Sequence, residues 1–417
     1  MRENAWENAV HILLLNQYFP PDTSATANIA ATVAEILSKR HRVTVLAGRP
    51  SYNPSEHYPY SLLRRDARNG LVVERLGSTA FSRHRMSCRV TNYLSYVSFV
   101  VPRALAVKAD LVLAMTDPPF AGIVGAAVAR MKCLPFVYNI RDLYPDMAVG
   151  GEIIEARAWV RMWERMHRNA LRHASRVIVL GDDMRARILS KNVSPDRVVV
   201  VRDGTSLPAA TAPANHPAIR EIRGSAQFVV IHAGNLGFYG AWPALIEAAK
   251  SFNGHGAQLI FVGDGTNRAR LEESSRGCDS IRFLPFRPAN EIPCVMAAGD
   301  VHVVTIRRGL SGVVVPSKLY STLAAGRPIL AVAPEESDVA RIVRENGCGL
   351  VANPDDSAAV AAAIRALRCE PDRLKLMGNR AREASKRYAR VAELEKFVEV
   401  IEEAVRPQPL GGKNLAA

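Results

Sequence analysis

The sequence predicts an α/β protein built from two doubly wound parallel sheets. Short β-branched apolar runs alternate with stretches of helical periodicity, the pattern of strands buried on both faces by crossover helices. The alternation stops once, in the Pro- and Ala-rich stretch Ser206 to Pro217, and then begins afresh. At 417 residues with 48% hydrophobic content, the chain has enough apolar material for two separate cores.

In the first half, residues 11–16, 42–48, 109–115, 135–140, 176–181 and 197–204 read as buried parallel strands, with helices over Ala27–Lys39 and Ala121–Met131. Residues 227–234, 258–265, 281–286, 301–306, 328–333 and 349–353 repeat the scheme in the second half. The expected domains are therefore 1–205 and 224–385, joined by a linker over 206–223. The remainder, 386–417, is a last helix and tail placed to cross back to the first domain.

The stretch Asp300 to Val332 carries the densest local signal. An apolar run ends at Arg307 and Arg308, passes through Gly309-Leu310-Ser311-Gly312, and restarts at Pro316-Ser317 as a helix ending at Gly326. Ser317 is the expected N-cap, with Pro316 restricting the entering chain. On this reading Arg307, Arg308 and Lys318 gather at the positive end of a helix, an arrangement that suits phosphate.

The formal charge is +14, and it is uneven: residues 1–205 carry 28 Lys and Arg against 18 Asp and Glu. The first domain therefore bears most of the excess, which suits anionic lipid or phosphorylated ligands. Nucleic-acid binding is disfavoured, because aromatic content is 6% and no recognition module is present. The six cysteines are dispersed, with no CxxC pair and no histidine at metal spacing, so neither a metal site nor a disulfide framework is expected. Neither HILLLNQYFP nor VVIHAGNLGF supplies the GxGxxG turn of a dinucleotide dehydrogenase. The N-terminus lacks a signal core, and the longest apolar region, Tyr93 to Val107, falls short of a bilayer span, so a cytoplasmic protein is expected.

A set of motifs in order then carries a resemblance. Gln17-Tyr18-Phe19-Pro20-Pro21 follows the first strand, and Thr116-Asp117-Pro118-Pro119 and Arg141-Asp142-Leu143-Tyr144-Pro145-Asp146 follow two others. Gly234-Asn235-Leu236-Gly237, Gly263-Asp264-Gly265 and PSKLYSTLAAGRPIL occupy the second half. Together these resemble family 4 glycosyltransferases of GT-B fold, of the bacterial capsule, O-antigen and exopolysaccharide type. The resemblance implies two Rossmann-like domains facing each other across a cleft. It implies transfer of a sugar from a nucleotide-sugar donor, held by the C-terminal domain, to a saccharide acceptor held by the N-terminal domain. Retention of configuration, no cofactor and no metal ion are implied as well.

On that resemblance the donor side comprises Gly234, Asn235, Gly237, Gly263, Asp264, Gly265, Arg307, Arg308, Ser317, Lys318 and Ser321. Gly263-Asp264-Gly265 is either part of a nucleotide pocket or a plain turn after a strand. Arg141 and Asp142 stand where relatives place His-Asp. Asp142 then either orients the acceptor hydroxyl or forms a loop ion pair with Arg141. Tyr18, Pro20 and Asp117 fall on the acceptor side, Asp117 also being readable as part of a rigid turn.

Two glutamates common in such relatives fall at Val313 and Ser321 here, and a lysine usual after the Gly-Asn stretch is replaced by Phe238-Tyr239-Gly240. Lys318 is the candidate to take over that lysine's phosphate contact. The departures keep two rivals open, a sugar-nucleotide-binding protein without transferase activity and a GT-B-fold sugar-nucleotide epimerase. Arg83, His84, Arg85 and Arg89 precede the apolar stretch at 93–107. Arg157, Arg161, Arg165, Arg168 and Arg172 recur at helical spacing opposite a stripe of Trp159, Met162, Trp163 and Met166. Either the stripe packs inward, or the basic faces lie on an anionic membrane and reach a lipid-linked acceptor at the cytoplasmic face of the inner membrane.

Overall fold

A computed structural model describes residues 9–406 apart from 53–57, 69, 83–84, 156, 206–211, 213–214 and 253–255. Arg83, His84 and residues 206–211 and 213–214 of the expected linker thus lie outside the described residues, and the end of that linker, Pro217–Arg223, is a helix. The first domain runs β1 (His11–Leu15), α1 (Ala25–Ser38), β2 (Arg42–Ala47), β3 (Leu63–Arg68), β4 (Leu71–Leu76), α2 (Met86–Ala106), β5 (Leu111–Ala114) and α3 (Ala121–Lys132). It continues with β6 (Phe136–Asn139), α4 (Asp146–Gly150), α5 (Ala158–His173), β7 (Arg176–Val179), α6 (Asp182–Leu189) and β8 (Val198–Val200). Its sheet has the order β3-β4-β2-β1-β5-β6-β7-β8, parallel except for β3.

The β3–β4 hairpin is an addition to the strands expected from the sequence. Every residue of β3, Leu-Arg-Arg-Asp-Ala-Arg, is exposed, so it has no apolar face to show in a sequence pattern. Edge strands carrying charge are protected against pairing with other chains.

The second domain contains α7 (Pro217–Arg223), β9 (Phe228–Ala233), α8 (Trp242–Lys250), β10 (Ala257–Val262), α9 (Arg268–Ser274), β11 (Ile281–Leu284) and α10 (Ile292–Ala298). There follow β12 (Val301–Thr305), α11 (Lys318–Ala324), β13 (Ile329–Val332), α12 (Asp338–Asn346), β14 (Gly349–Ala352), α13 (Ser357–Cys369) and α14 (Pro371–Ser385). Its all-parallel sheet has the order β11-β10-β9-β12-β13-β14.

The final helix, α15 (Arg390–Val405), belongs by packing to the first domain. Phe397, Val398, Val400 and Ile401 fill a core with Ile12, Ala30, Val33, Leu37 and Leu111. Glu402 reaches His41 Nε2 at 3.3 Å. The chain therefore crosses between domains twice, and the two crossings run side by side. Thr205 pairs with Ala389 in a parallel bridge, Thr205 N–H donates to Tyr388 O at 3.0 Å, and Arg390 N–H donates to Thr205 O at 3.2 Å.

The loop between β12 and α11 also touches the first domain. Leu143 N–H donates to Val313 O at 3.0 Å, and Gly312 N–H donates to Asp183 Oδ2 at 3.2 Å. Gly312 has φ +69°, and a Cβ there would lie 2.7 Å from the Asp183 carbonyl oxygen, so a side chain is excluded on both counts. Asp183 also accepts from Asp338 N–H at 3.0 Å. One carboxylate thus ties α6 to two separate loops of the other domain.

Phe397 is 3% exposed, and Phe397→Ala should lower stability by about 3–5 kcal/mol. Urea unfolding followed by fluorescence should show the loss as an earlier transition of the N-terminal sheet, although the substitution lies in the last helix.

Candidate active site

An open parallel sheet presents ligands at the carboxyl ends of its strands, where the strand order reverses. In the second domain that point lies between β9 and β12, and Gly234 and Arg307 are the residues that leave these two strands. In the first domain it lies between β1 and β5, where Gln17 N–H donates to Asp117 O at 2.7 Å.

Lys318 opens α11 and extends under Gly234. A Cβ at Gly234, whose φ is +127°, would sit 2.2 Å from Lys318 Cε, so only glycine lets the lysine lie there. Lys318 Nζ donates to Tyr239 Oη at 3.2 Å and stands 5.5 Å from the centre of that ring. It forms no ion pair with a carboxylate among the described residues, and burial lowers its ammonium pKa to about 8. A cation held among uncharged neighbours at a strand-end switch point is fitted to receive an anion.

Tyr239 fixes this corner. Its hydroxyl donates to Asn235 O at 2.5 Å, and its carbonyl accepts from Arg307 N–H at 2.7 Å. Trp242 Nε1 donates to Gly237 O at 2.6 Å. The loops carrying Gly234-Asn235-Leu236-Gly237 and Gly263-Asp264-Gly265 are locked together: Leu236 N–H donates to Asp264 O at 2.8 Å, and a Cβ on Gly265 would meet Asn235 Oδ1. The Asp264 carboxylate is exposed and accepts from Gly265 N–H at 2.7 Å, closing its own turn.

The three expected cations differ in pairing: Lys318 has no acidic partner among the described residues, and each arginine has one. Arg307 reaches across to Glu152 of the first domain, Nη2 to Oε1 at 2.7 Å. Arg308 is exposed and pairs with Asp355 beyond β14, Nε to Oδ2 at 2.5 Å. Ser317 occupies the N-cap place, but in the αR conformation and without a side-chain cap bond. A capping hydroxyl needs an extended backbone to reach the next turn, and Ser317 does not adopt one. The helix ends at Ala324, and Gly326 follows with φ +64°. Ser321 lies partly buried one turn along α11 from Lys318, and Val313 is fully buried.

Across the cleft, Asp142 follows β6. Burial, with Asp117 adding like charge, pushes its carboxyl pKa up to about 7. Arg141 does not form the loop ion pair with Asp142; its guanidinium is bound to Asp203. Asp142 itself is in no ion pair among the described residues. Tyr18 is buried with its ring edge toward Tyr52, centroids 6.1 Å apart, and the Pro20 carbonyl accepts from Arg75. Tyr18 and Pro20 thus shape the wall behind the strand ends, while Asp117 and Asp142 stand near enough for their charges to couple. Sequence reasoning passed over Tyr239 and Asp183; both act through contacts distant in sequence. The only local trace was the oddity of an aromatic pair where relatives carry lysine.

Residues 25–204 match the Glycosyl transferase 4-like domain family, and residues 227–369 match the Glycosyl transferases group 1 family. WbjE of Pseudomonas aeruginosa, named as a glycosyltransferase, is 27% identical over 300 residues, 70% of this chain and 74% of that one. WcaI of Escherichia coli K12, whose name assigns it to colanic acid biosynthesis as a glycosyl transferase, is 25% identical over 62% of this chain and 66% of its own. Among solved structures, Anabaena HepE in complex with UDP-glucose superposes with a TM-score of 0.68 and 20% identity, covering 94% of this chain and all of that one.

Lys318→Met should stabilise the fold by on the order of 1 kcal/mol, about 2–4 °C in Tm, because a desolvated charge is removed. The folded pKa lies below the unfolded one, so the charge weakens the fold most at pH below 8. The gain in Tm should therefore be full there and fade as pH rises from 8 towards 10.5. Calorimetry across that range checks both size and sign.

Proposed function

Because the chain belongs to the family 4-like glycosyltransferases of GT-B fold, joining a glycosyl transferase 4-like domain to a group 1 domain, we propose that it extends a bacterial surface polysaccharide. In this reading a nucleotide-sugar donor binds the second domain, and a lipid-linked saccharide acceptor binds the first. The observation that carries it is the Lys318 ammonium beneath Gly234, without an acidic partner among the described residues. The name of WcaI supports the polysaccharide context, and the UDP-glucose bound to HepE supports a nucleotide-sugar donor.

The reaction breaks the bond between the anomeric carbon and the diphosphate oxygen, and the electron pair leaves with the diphosphate. Lys318 neutralises the charge that grows there, the role a metal ion fills in other transferases. The acceptor hydroxyl oxygen bonds to the anomeric carbon from the face the diphosphate leaves, so configuration is retained, and its proton passes to the departing phosphate oxygen. Asp142, as carboxylate, accepts a hydrogen bond from a neighbouring hydroxyl of the acceptor sugar and so orients the attacking one, whose own proton stays free for the phosphate.

The first domain also offers a surface for a lipid carrier. On α5, Val160, Trp163 and His167 face inward, whereas Trp159, Met162 and Met166 are exposed between Arg161 and Arg165. The sequence stripe is thus split, and its larger part points to solvent. On α2, Met86, Val90 and Leu94 are exposed beside Arg89. No helix among the described residues is long and apolar enough to cross a membrane. Such faces suit peripheral binding to an anionic bilayer, each cation contributing about 1 kcal/mol.

The absence of carboxylates at Val313 and Ser321 favours one alternative, a protein that binds sugar nucleotide without transferring it. Thermal-shift and turnover assays with UDP-, GDP-, dTDP- and ADP-sugars, with and without chelator, separate the two. Transfer is expected to be chelator-insensitive, and Lys318→Ala to weaken donor affinity by about tenfold or more. Binding without turnover on any saccharide acceptor selects the alternative. Loss of activity on chelation removes the metal-free mechanism. In addition, kcat/KM should rise with pH up to about 7 and level off above it, as Asp142 loses its proton. Asp142→Asn should abolish that limb; an unchanged profile assigns it to another group.

A further inference from the structure

A groove of about 540 Å³ opens on the first domain between α4, α5 and α6, outside the donor corner. Five cations and two carboxylates line it. Lys191, 6% exposed, forms its floor and donates to Asp146 Oδ2 at 2.7 Å and to Glu164 Oε1 at 2.8 Å. Arg187 donates to the other Asp146 oxygen at 3.0 Å, and Arg168 to Glu164 at 2.7 Å. Burial alone would raise the Asp146 carboxyl, but Lys191 and Arg187 outweigh it and hold the pKa below the ordinary range. Both acids are therefore fully committed.

Two cations are left over. Arg161 and Arg165, one helical turn apart on α5, line the same groove, are exposed, and have no acidic partner among the described residues. Their neighbours Trp159, Met162 and Met166 are apolar and exposed. The α4 wall begins at Pro145, three residues after Asp142, roughly 10 Å of chain at most. Its other end, Gly150, abuts Gly309 of the second domain, where a Cβ would lie 2.7 Å from the Gly309 carbonyl oxygen. The groove thus runs from the rim of the catalytic cleft to an apolar, basic outer face.

We propose that this groove is the subsite for the phosphate or diphosphate that joins the acceptor saccharide to its lipid, with Arg161 and Arg165 as its binding residues above a floor in which Lys191, Arg187 and Arg168 are paired with Asp146 and Glu164. The proposal rests on the lipid-linked acceptor reading above. Guanidinium pairs bind phosphate oxygens in forked geometry, and two of them at helical spacing match the two phosphate groups of a diphosphate. The lipid would leave past Trp159 and Met162 toward the bilayer, while the sugar would extend along α4 to Asp142.

The test uses farnesyl diphosphate as a probe in calorimetric titrations of the full chain, with farnesol, inorganic pyrophosphate and phosphatidylglycerol vesicles as separate arms. Wild type should bind farnesyl diphosphate more tightly than pyrophosphate and should not bind farnesol. The Arg161→Gln/Arg165→Gln variant should lose about tenfold or more in affinity, with Arg161→Lys/Arg165→Lys recovering part of it. Both positions are exposed, so folding is retained, and an unchanged melting curve verifies it. Equal affinity of wild type and the Gln variant for farnesyl diphosphate overturns the subsite. So does an equal loss, in the Gln variant, of binding to phosphatidylglycerol vesicles, which would make the arginines a general headgroup contact. Turnover distinguishes the two readings: if wild type transfers sugar to a diphosphate-linked acceptor but the Gln variant does so with the same KM, the subsite fails while the transferase stands. If wild type transfers to no lipid-linked acceptor at all, the underlying reading fails.

Discussion

The corner around Lys318 depends on one steric fact: the lysine at the start of α11 occupies space that any side chain at position 234 would fill. Everything else there follows from holding that ammonium in place without neutralising it. Tyr239 supplies a ring and a hydroxyl, neither of which carries charge, and is itself anchored to Asn235 and to Arg307. A carboxylate in the same position would have raised the lysine pKa and closed the site to other anions. The absence of glutamates at Val313 and Ser321 acquires a physical sense in this setting: the nearby groups leave the cation available.

The two domains treat charge differently. In the second, the arginines after β12 pair with exposed acids, Arg307 with Glu152 and Arg308 with Asp355, and Lys318 has no acidic partner among the described residues. In the first, buried acids and cations are interleaved: Arg141 with Asp203, Lys191 with Asp146 and Glu164, and Arg103 with Glu74. Asp142 stands out among these because its neighbours are acids or already engaged, and its proton affinity rises accordingly. Its charge state, unlike that of its paired neighbours, is open to change near neutral pH.

Most of the architecture could be read from the sequence because parallel strands buried on both faces leave dense apolar runs that nothing else produces. The β3–β4 hairpin escaped because β3 buries nothing. Gly234 and Asp142 were legible as residues at strand ends, where this topology places ligands, and Lys318 as one at the start of a helix. The partners that give them their character were not. Arg308 differs from Arg307 in no local property, and only the fold decides that one meets Asp355 and the other Glu152. Likewise nothing near Asp183 in the chain announces that its carboxylate will hold Gly312 and Asp338, more than a hundred residues away. Helix α5 shows the same limit in another form: a stripe of four apolar residues at helical spacing was divided by the fold, Trp163 going inward and Trp159, Met162 and Met166 outward.

The placement of α15 bears on how the molecule comes into being. Its apolar residues complete the core around α1 and β1, so the domain translated first lacks part of its interior until about residue 401 has left the ribosome. The second domain draws less on the chain that follows α14: Tyr388 packs on Tyr320, ring centroids 5.3 Å apart, and α15 fills the other core. Synthesis and folding therefore run in opposite orders: the later domain can close while the earlier one waits, with Ile12, Val33 and Leu37 uncovered on one side. For a nascent chain this interval is the period of greatest exposure to aggregation and to chaperones, and its length is set by the rate at which the second domain is translated.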